Sequence, residues 1–367
     1  MKFSINRTEL QTALSVVLKG VSASSTLPVL AGGIFAEAAG DSLILQSTDL
    51  VKSIKYTLPA LVEEEGRTVF LGKLLLDIVK NLPDAAVHIA DAGDSASITC
   101  DTISYDVKTL SPEDFPDFPN VAADQEVRLL FPLFSSMVKK VARIVSRDES
   151  RAILTGVLLS LEGDVLKMVA TDSYRLAVAQ AQVPAEDVED FEAVIGGSFL
   201  QEIAALPKSE EDVRLGLSEN QVVVTYQNTV FINRRIGGVF PNYRQLLPES
   251  HATRVRLRTE DVLSAVKRTS VLSQSSSPVR FAVDLDAPIV QLSSVAQDVG
   301  SAQQSLSCEG EGESMEIAFN GAYLVDGLSS VPSEFVNLDL QDSMKPGIFT
   351  AEGDESYLYL VMPVRIS

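Results

Sequence analysis

Few residues in this 367-residue chain have the types and spacing that covalent chemistry needs. Gly66 and Gly72-Lys73 approach a phosphate-binding loop. Five residues separate the glycines, however, and Leu74 stands where a magnesium-binding hydroxyl belongs, so the motif is rejected. There is no G-x-S-x-G elbow and no H-E-x-x-H pair. His88 and His251 lie far apart, which suits structural roles. Ser275 to Ser277 run into Pro278 and read as a loop. Cys100 and Cys308 form no pair motif and suit packed thiols in a reducing cytoplasm. No metal or cofactor is expected. The 50 Asp and Glu residues leave one catalytic alternative, a carboxylate-dependent hydrolase on a repeated α+β scaffold.

Phosphate binding without catalysis has better support. Lys140, Arg143 and Arg147 step by three and four, so a helix would place them on one face. The net charge of −20 argues against general affinity for polyanions. Its distribution points the other way. Six predicted helical windows (7–20, 72–81, 131–147, 196–206, 258–273 and 320–331) hold 11 basic against 6 acidic residues. Basic helices and an acidic remainder suit a protein that meets phosphate on one side and repels it elsewhere.

These helices recur. Amphipathic helical patterns are expected to open near Phe3, Val127 and Val255. A strand followed by small polar residues returns at Thr48-Asp49, Thr171-Asp172 and Ser293-Ser294, with Thr48, Thr171 and Ser294 spaced by 123 residues. A second short helix ends before Pro83, Pro207 and Pro332. Three coincidences in the same order indicate three repeats of domain size, assigned as 1–124, 125–248 and 249–367. Each reads as helix, strands, helix, strands. Two helices with roughly eight strands over one core make an α+β layered domain. In the first repeat, Leu10, Ala13, Leu14, Val17 and Leu18 form one buried helical stripe. In the second, strands are expected at 152–161, 165–170 and 174–182, followed by a solvated acidic loop over 186–192. Ser111–Asn120 and Phe240–Pro248 read as linkers. No run approaches 18 apolar residues, and the start MKFSINRTEL lacks a signal-peptide core, so no membrane association is expected.

The stretch ATDSYRLAV, Ala170–Val178, reads by itself as an ordinary hairpin, with turn chemistry at Thr171-Asp172-Ser173. Together with MKFSINRTEL, TLPVL at Thr26–Leu30, STDL at Ser47–Leu50, LPDA at Leu82–Ala85, FPNYRQLLP, Phe319-Asn320 with Tyr323, and YLVMPVR at Tyr359–Arg365, it resembles the bacterial sliding clamp, the beta subunit of DNA polymerase III. The resemblance spans the whole chain. It implies three DNA-clamp domains, each with two helices packed on antiparallel sheets, forming a six-domain ring as a head-to-tail homodimer. It further implies sequence-independent binding of double-stranded DNA, processivity without catalysis, and a cytoplasmic location. The implied partners are the DNA polymerase III alpha subunit, the clamp loader delta subunit, and other polymerases and repair proteins that carry clamp-binding peptides.

Carried over residue by residue, the resemblance implies a peptide pocket between the second and third repeats. Its residues would be Leu154, Thr171, Ser173, Tyr174, Arg175, Leu176, Pro241, Leu246, Asn320, Tyr323, Met344, Leu360, Val361, Met362, Pro363, Val364 and Arg365. The DNA lining would use Lys19, Lys73, Lys80, Lys139, Lys140, Arg143, Arg147, Arg151, Lys267 and Arg268. The subunit junction would pair strand Ile103–Thr109 with Gln303–Cys308 and involve Val107, Lys108, Leu272, Asp298 and Leu306. Three features depart from the family pattern. Ser173-Tyr174 replaces Gly-His and adds bulk to the pocket rim, Gln245 replaces a basic residue, and Lys345-Pro346 occupies a rim loop of small polar residues.

Overall fold

A computed structural model describes residues 1–22, 25, 27–185, 188–248, 250–272, 278–296 and 299–365. Its helices are α1 (Arg7–Val17), α2 (Gly72–Asn81), α3 (Phe131–Val141), α4 (Gly197–Ala204), α5 (Thr259–Thr269) and α6 (Gly321–Leu328). The repeat is visible in the element order. A strand leads into each odd-numbered helix, three antiparallel strands follow, one more strand leads into each even-numbered helix, and three strands close the set. Short extra strands occur at Leu61–Glu64 and Glu309–Glu311.

Phe3, Val127 and Val255, expected to open helices, lie in the leading strands Lys2–Asn6, Gln125–Leu130 and Thr253–Arg258. The periodicity is real, but the element is different. Each strand is only five or six residues long and buries alternate positions. Its apolar residues therefore merge with the helical stripe next to it. The expected strand 152–161 starts later, at Gly156, because Glu149–Thr155 forms a 3-10 segment with Arg151 outside helical geometry. Part of the expected acidic loop is strand Phe191–Gly196, while residues 186 and 187 fall outside the described residues. Ser293 and Ser294 do not follow a strand. They sit inside Ile289–Ala296, paired with Gln303 and Ala302.

The helix starts follow local chemistry. The Asn6 side chain accepts from the Thr8 and Glu9 amides, and the Asn320 side chain accepts from those of Ala322 and Tyr323. Each cap satisfies donors that a first helical turn leaves unpaired. Gly327 has a packing role instead, since a Cβ there would collide with the Tyr359 ring. This lets α6 lie close against strand Asp354–Val361.

Two compact units emerge. One comprises residues 1–131 and 209–235, the other 132–208 and 236–367. In the first, one 13-stranded sheet runs from Gln125–Leu130 to Leu61–Glu64, joined at its middle where Thr229–Arg234 pairs with Lys52–Pro59. Within it α1 packs beside α2 and against the strands Ser42–Thr48 and Lys52–Pro59. In the second unit, a nine-stranded sheet is joined the same way, by Arg175–Gln182 against Asp354–Val361, and a four-stranded sheet ends at Gly300–Ser307. There α5 packs beside α6.

Candidate peptide site and basic helices

The hairpin at Thr171–Arg175 is built from short oxygen side chains. Thr171 Oγ1 donates to the Arg175 carbonyl at 2.7 Å and accepts from the Ser173 amide at 3.1 Å. Asp172 Oδ1 accepts from the amides of Tyr174 and Arg175. The first repeat has the same turn 123 residues earlier. Thr48 bonds the Lys52 carbonyl and the Leu50 amide, and Asp49 accepts from the Val51 and Lys52 amides. Both turns need a positive φ at their third residue, 71° at Leu50 and 81° at Ser173. That conformation disfavours any side chain. At Ser173 the Arg151 guanidinium compensates by donating to Oγ at 3.0 Å.

The second copy differs in its returning strand. Arg175 is only 8% exposed. It donates to Asp172 at 2.9 Å and to Asp326 of α6 at 2.6 Å, and its guanidinium lies 4.2 Å from the centre of the Tyr323 ring. Burial opposes this charge, but interactions with Tyr359, Asp326 and Asp172 outweigh it and hold the pKa above the ordinary guanidinium value. Tyr359 Oη donates to the Tyr323 carbonyl at 2.8 Å, which ties α6 to the neighbouring strand. Tyr174 stacks on Tyr323, with ring centres 6.4 Å apart. The Met362 amide donates to the Tyr174 carbonyl at 2.8 Å, so the chain's last described segment closes on the hairpin.

These contacts and the strand pairing bring Thr171, Ser173, Tyr174, Arg175, Leu176, Tyr323, Leu360, Val361 and Met362 together. Leu154, Thr171, Arg175, Leu176, Leu360 and Val361 are buried. Leu176 pairs with Leu360, and both belong to an apolar cluster with Phe240, Tyr243 and Ile348. Val361, 0% exposed, is held between Arg175 and Gly347 in the sheet. Ser173, Tyr174, Pro241, Leu246, Met344, Met362, Val364 and Arg365 are exposed, while Asn320, Tyr323 and Pro363 are half-buried. Asp172, Asp326, Tyr243 and Tyr359 are absent from the set expected from sequence. Asp172 sits inside the hairpin motif, but nothing local links it to Asp326.

A cavity of about 750 Å³ lies against Tyr174 and Tyr323. Arg143, Arg147, Arg151 and Arg175 line it together with Asp148, Asp172 and Asp326. Arg151 donates to Asp148, Ser173 and Ser146, so its expected DNA contact competes with three internal bonds. Arg143 donates to the Asp326 carbonyl. Lys140 is half-buried, 3.1 Å from Ser356 Oγ, and burial lowers its pKa against the pull of Asp354. Lys139 and Arg147 are exposed. Elsewhere in this unit Lys267 and Arg268 are exposed at the end of α5, with Arg268 donating to Gln304. In the other unit Lys73 and Lys80 are exposed on α2, and Lys19 is half-buried after α1.

Each unit also has an open strand edge. In Ile103–Leu110, residues 103–108 pair with Ser95–Cys100 on one side, and only Thr109 and Leu110 meet Gly66–Leu71 on the other. Val107 and Lys108 lie on this edge, and Tyr105 is exposed there. Leu306 lies on Gly300–Ser307, the last strand of its sheet. Leu272 is half-buried beside exposed Val271, and Asp298 falls outside the described residues. Tyr105 and Val271 escape sequence reasoning because an isolated exposed apolar residue leaves no signature.

Among the described residues no group of three or more His, Cys, Asp or Glu side chains is placed to hold a metal ion, and no helix is long and apolar enough to cross a membrane. Three α+β repeats, basic helices and a cavity lined by arginines and aspartates beside the Tyr174–Tyr323 pair define a binding scaffold of the DNA-clamp class. The chain belongs to the DNA polymerase III beta subunit family, the beta sliding clamps. The family's N-terminal domain matches residues 1–119, its central domain 131–242 and its C-terminal domain 244–365. The chain is 33% identical over 390 aligned residues to the beta sliding clamp of Synechocystis sp. and 30% identical over 377 to that of Staphylococcus aureus, covering 99–100% of each. The Bacillus subtilis sliding clamp superposes with a TM-score of 0.95 at 27% identity, with both chains fully covered. A Pseudomonas aeruginosa sliding clamp bound to griselimycin superposes at 0.93 with 25% identity, again with full coverage.

Proposed function

We propose that two copies of this sliding clamp join head to tail into a ring around duplex DNA and tether polymerases for processive synthesis. The domains would be residues 1–124, 125–248 and 249–367. Strand Ile103–Leu110 of one copy would pair with Gly300–Ser307 of the other, with Val107, Lys108, Tyr105, Leu272 and Leu306 at the junction. Two different edges make the contact heterologous, which forms a ring only if the rotation closes. The observation that carries this reading is the full-length correspondence with sliding clamps of known structure.

The lining would be Lys19, Lys73, Lys80, Lys139, Lys140, Arg143, Arg147, Arg151, Lys267 and Arg268, contacting phosphates without reading bases. Several of these cations also hold the protein's own atoms, so phosphate contacts stay weak enough to slide. Partner proteins, including the polymerase III alpha subunit, the clamp loader delta subunit and repair polymerases, would insert linear peptides over Leu176, Leu246, Leu360 and Met362. Apolar anchors in such a cleft supply most of the affinity. The clamp acts by topology rather than catalysis, and the unpaired thiols of Cys100 and Cys308 suit a reducing cytoplasm. The hydrolase alternative gains no support from the sliding-clamp relatives.

The test is retention. Protein loaded onto nicked circular DNA should stay bound through gel filtration and be lost once the circle is cut. Equal loss from circular and linear DNA would reject the ring.

A further inference from the structure

A second cavity, of about 830 Å³, is lined by Tyr243, Arg244 and Leu247 of the Phe240–Pro248 linker, where the expected peptide pocket uses Pro241 and Leu246. None of its lining residues belongs to that pocket. We propose that this cavity is a separate docking site, for a linear segment of a partner protein that carries an aliphatic side chain close to a lysine or arginine. The proposal goes beyond the peptide-pocket reading and does not depend on it.

Three observations carry it. First, a line of side chains crosses the sheet beneath the linker. Val178, Leu358, Thr350 and Asn337 are successive Cα partners on four adjacent strands, so their side chains share one face. Tyr243 and Leu247 pack with Val178 and Leu358 at the apolar end, which suits an aliphatic anchor. Second, the polar end has hydrogen-bonding capacity to offer. Gln180, Thr350 and Asn337 are half-buried in the lining, and among the described residues their side chains make no hydrogen bond. Two amides and a hydroxyl can each donate and accept, which matches the alternating needs of an extended backbone. Third, the charge left open is negative. Arg254 already holds Asp339 through bonds of 2.6 and 2.7 Å, and Lys167 and Arg244 share Glu162. Of the two acids in the lining, Asp354 accepts from the Ser356 amide and feels the charge of Lys140. Glu355 is exposed and has no ion-pair partner among the described residues. A basic segment complements this arrangement, whereas a polyanion finds every cation paired.

The test is fluorescence anisotropy on the full-length protein without DNA, with a labelled, end-capped Leu-Ala-Ala-Arg peptide and its Leu-Ala-Ala-Glu counterpart. The Arg peptide should bind about 5-fold more tightly than the Glu peptide, as expected for an exposed charge pair. Glu355→Lys changes an exposed turn residue and should erase that preference. Thr350→Arg puts a long side chain into the cavity and should abolish binding of both peptides, with thermal unfolding as the check on its fold. If Thr350→Arg fails to fold, the response to Glu355→Lys decides alone. Met362→Asp, which alters the expected peptide pocket, should leave this binding unchanged. No binding at millimolar protein, equal binding of the two peptides, a preference that survives Glu355→Lys, or binding that a folded Thr350→Arg retains overturns the site. Loss of binding in Met362→Asp alone would place the peptide in the other pocket and overturn the proposal while supporting the pocket reading.

Discussion

The 2.6 Å bond from Arg175 to Asp326 joins side chains 151 residues apart in sequence. It fastens the hairpin of the central repeat to α6 of the last one, and Tyr323 is packed against the same guanidinium. The rim of the proposed peptide cleft thus depends on a buried charge whose partners come from both repeats.

Removing that charge should be costly. Arg175→Met leaves Asp172 and Asp326 without their cation, and unpairing a buried ion pair costs about 3 kcal/mol or more. Asp326 is partly exposed, which favours the lower end. Urea unfolding should report the loss. Arg175→Lys should recover only part of it, because an ammonium cannot keep both carboxylates and stack on the ring.

Ser173 tests the turn itself. At φ 81° a β-branched residue is strained, so Ser173→Val should destabilise by about 1–2 kcal/mol. Ser173→Gly removes the strain and the Arg151 bond together, so stability should stay within about 1 kcal/mol of the parent. Thermal unfolding of the two variants side by side separates backbone strain from the side-chain bond.

The open edges predict the oligomer. Tyr105→Arg or Leu306→Arg places a charge on an edge expected to be covered, where an unpaired charge is strongly unfavourable. Sedimentation at micromolar concentration should show a fall from twice 39.5 kDa to the monomer. An unchanged mass for both variants would place the junction elsewhere.

Glu162 predicts an acid response. It accepts from Lys167 at 2.6 Å and from Arg244 of the Phe240–Pro248 linker. The hydrogen bond from Lys167 is the main cause that holds its carboxyl below the ordinary value, with burial opposing. A carboxyl depressed on folding stabilises the protein above its unfolded pKa, near 4.5, and loses that contribution as pH falls through the lower folded value. Glu162→Gln should therefore flatten the acid limb of the unfolding midpoint below about pH 4.5. Solvent screens these groups, so the loss at pH 7 should be under about 1 kcal/mol.

The sequence by itself determined the repeat, the α+β class and the family. Each rests on local patterns: a 3.6-residue stripe in α1, the Thr-Asp turn copied from Thr48 to Thr171, and prolines that recur after the second helix at Pro83, Pro207 and Pro332. It misleads at Phe3, Val127 and Val255, because a five- or six-residue strand is too short to show its own period beside a helix. Only the tertiary structure decided that Val361 is buried at the end of its strand, paired with Arg175, while Met362, one residue past the strand, is exposed. It also decided that Arg175 is a clamp, that Arg151 and Lys140 divide their charge between solvent and internal partners, and that Tyr105 lies on an open edge. Those outcomes depend on side chains brought together from distant parts of the chain, and no local spacing encodes such meetings.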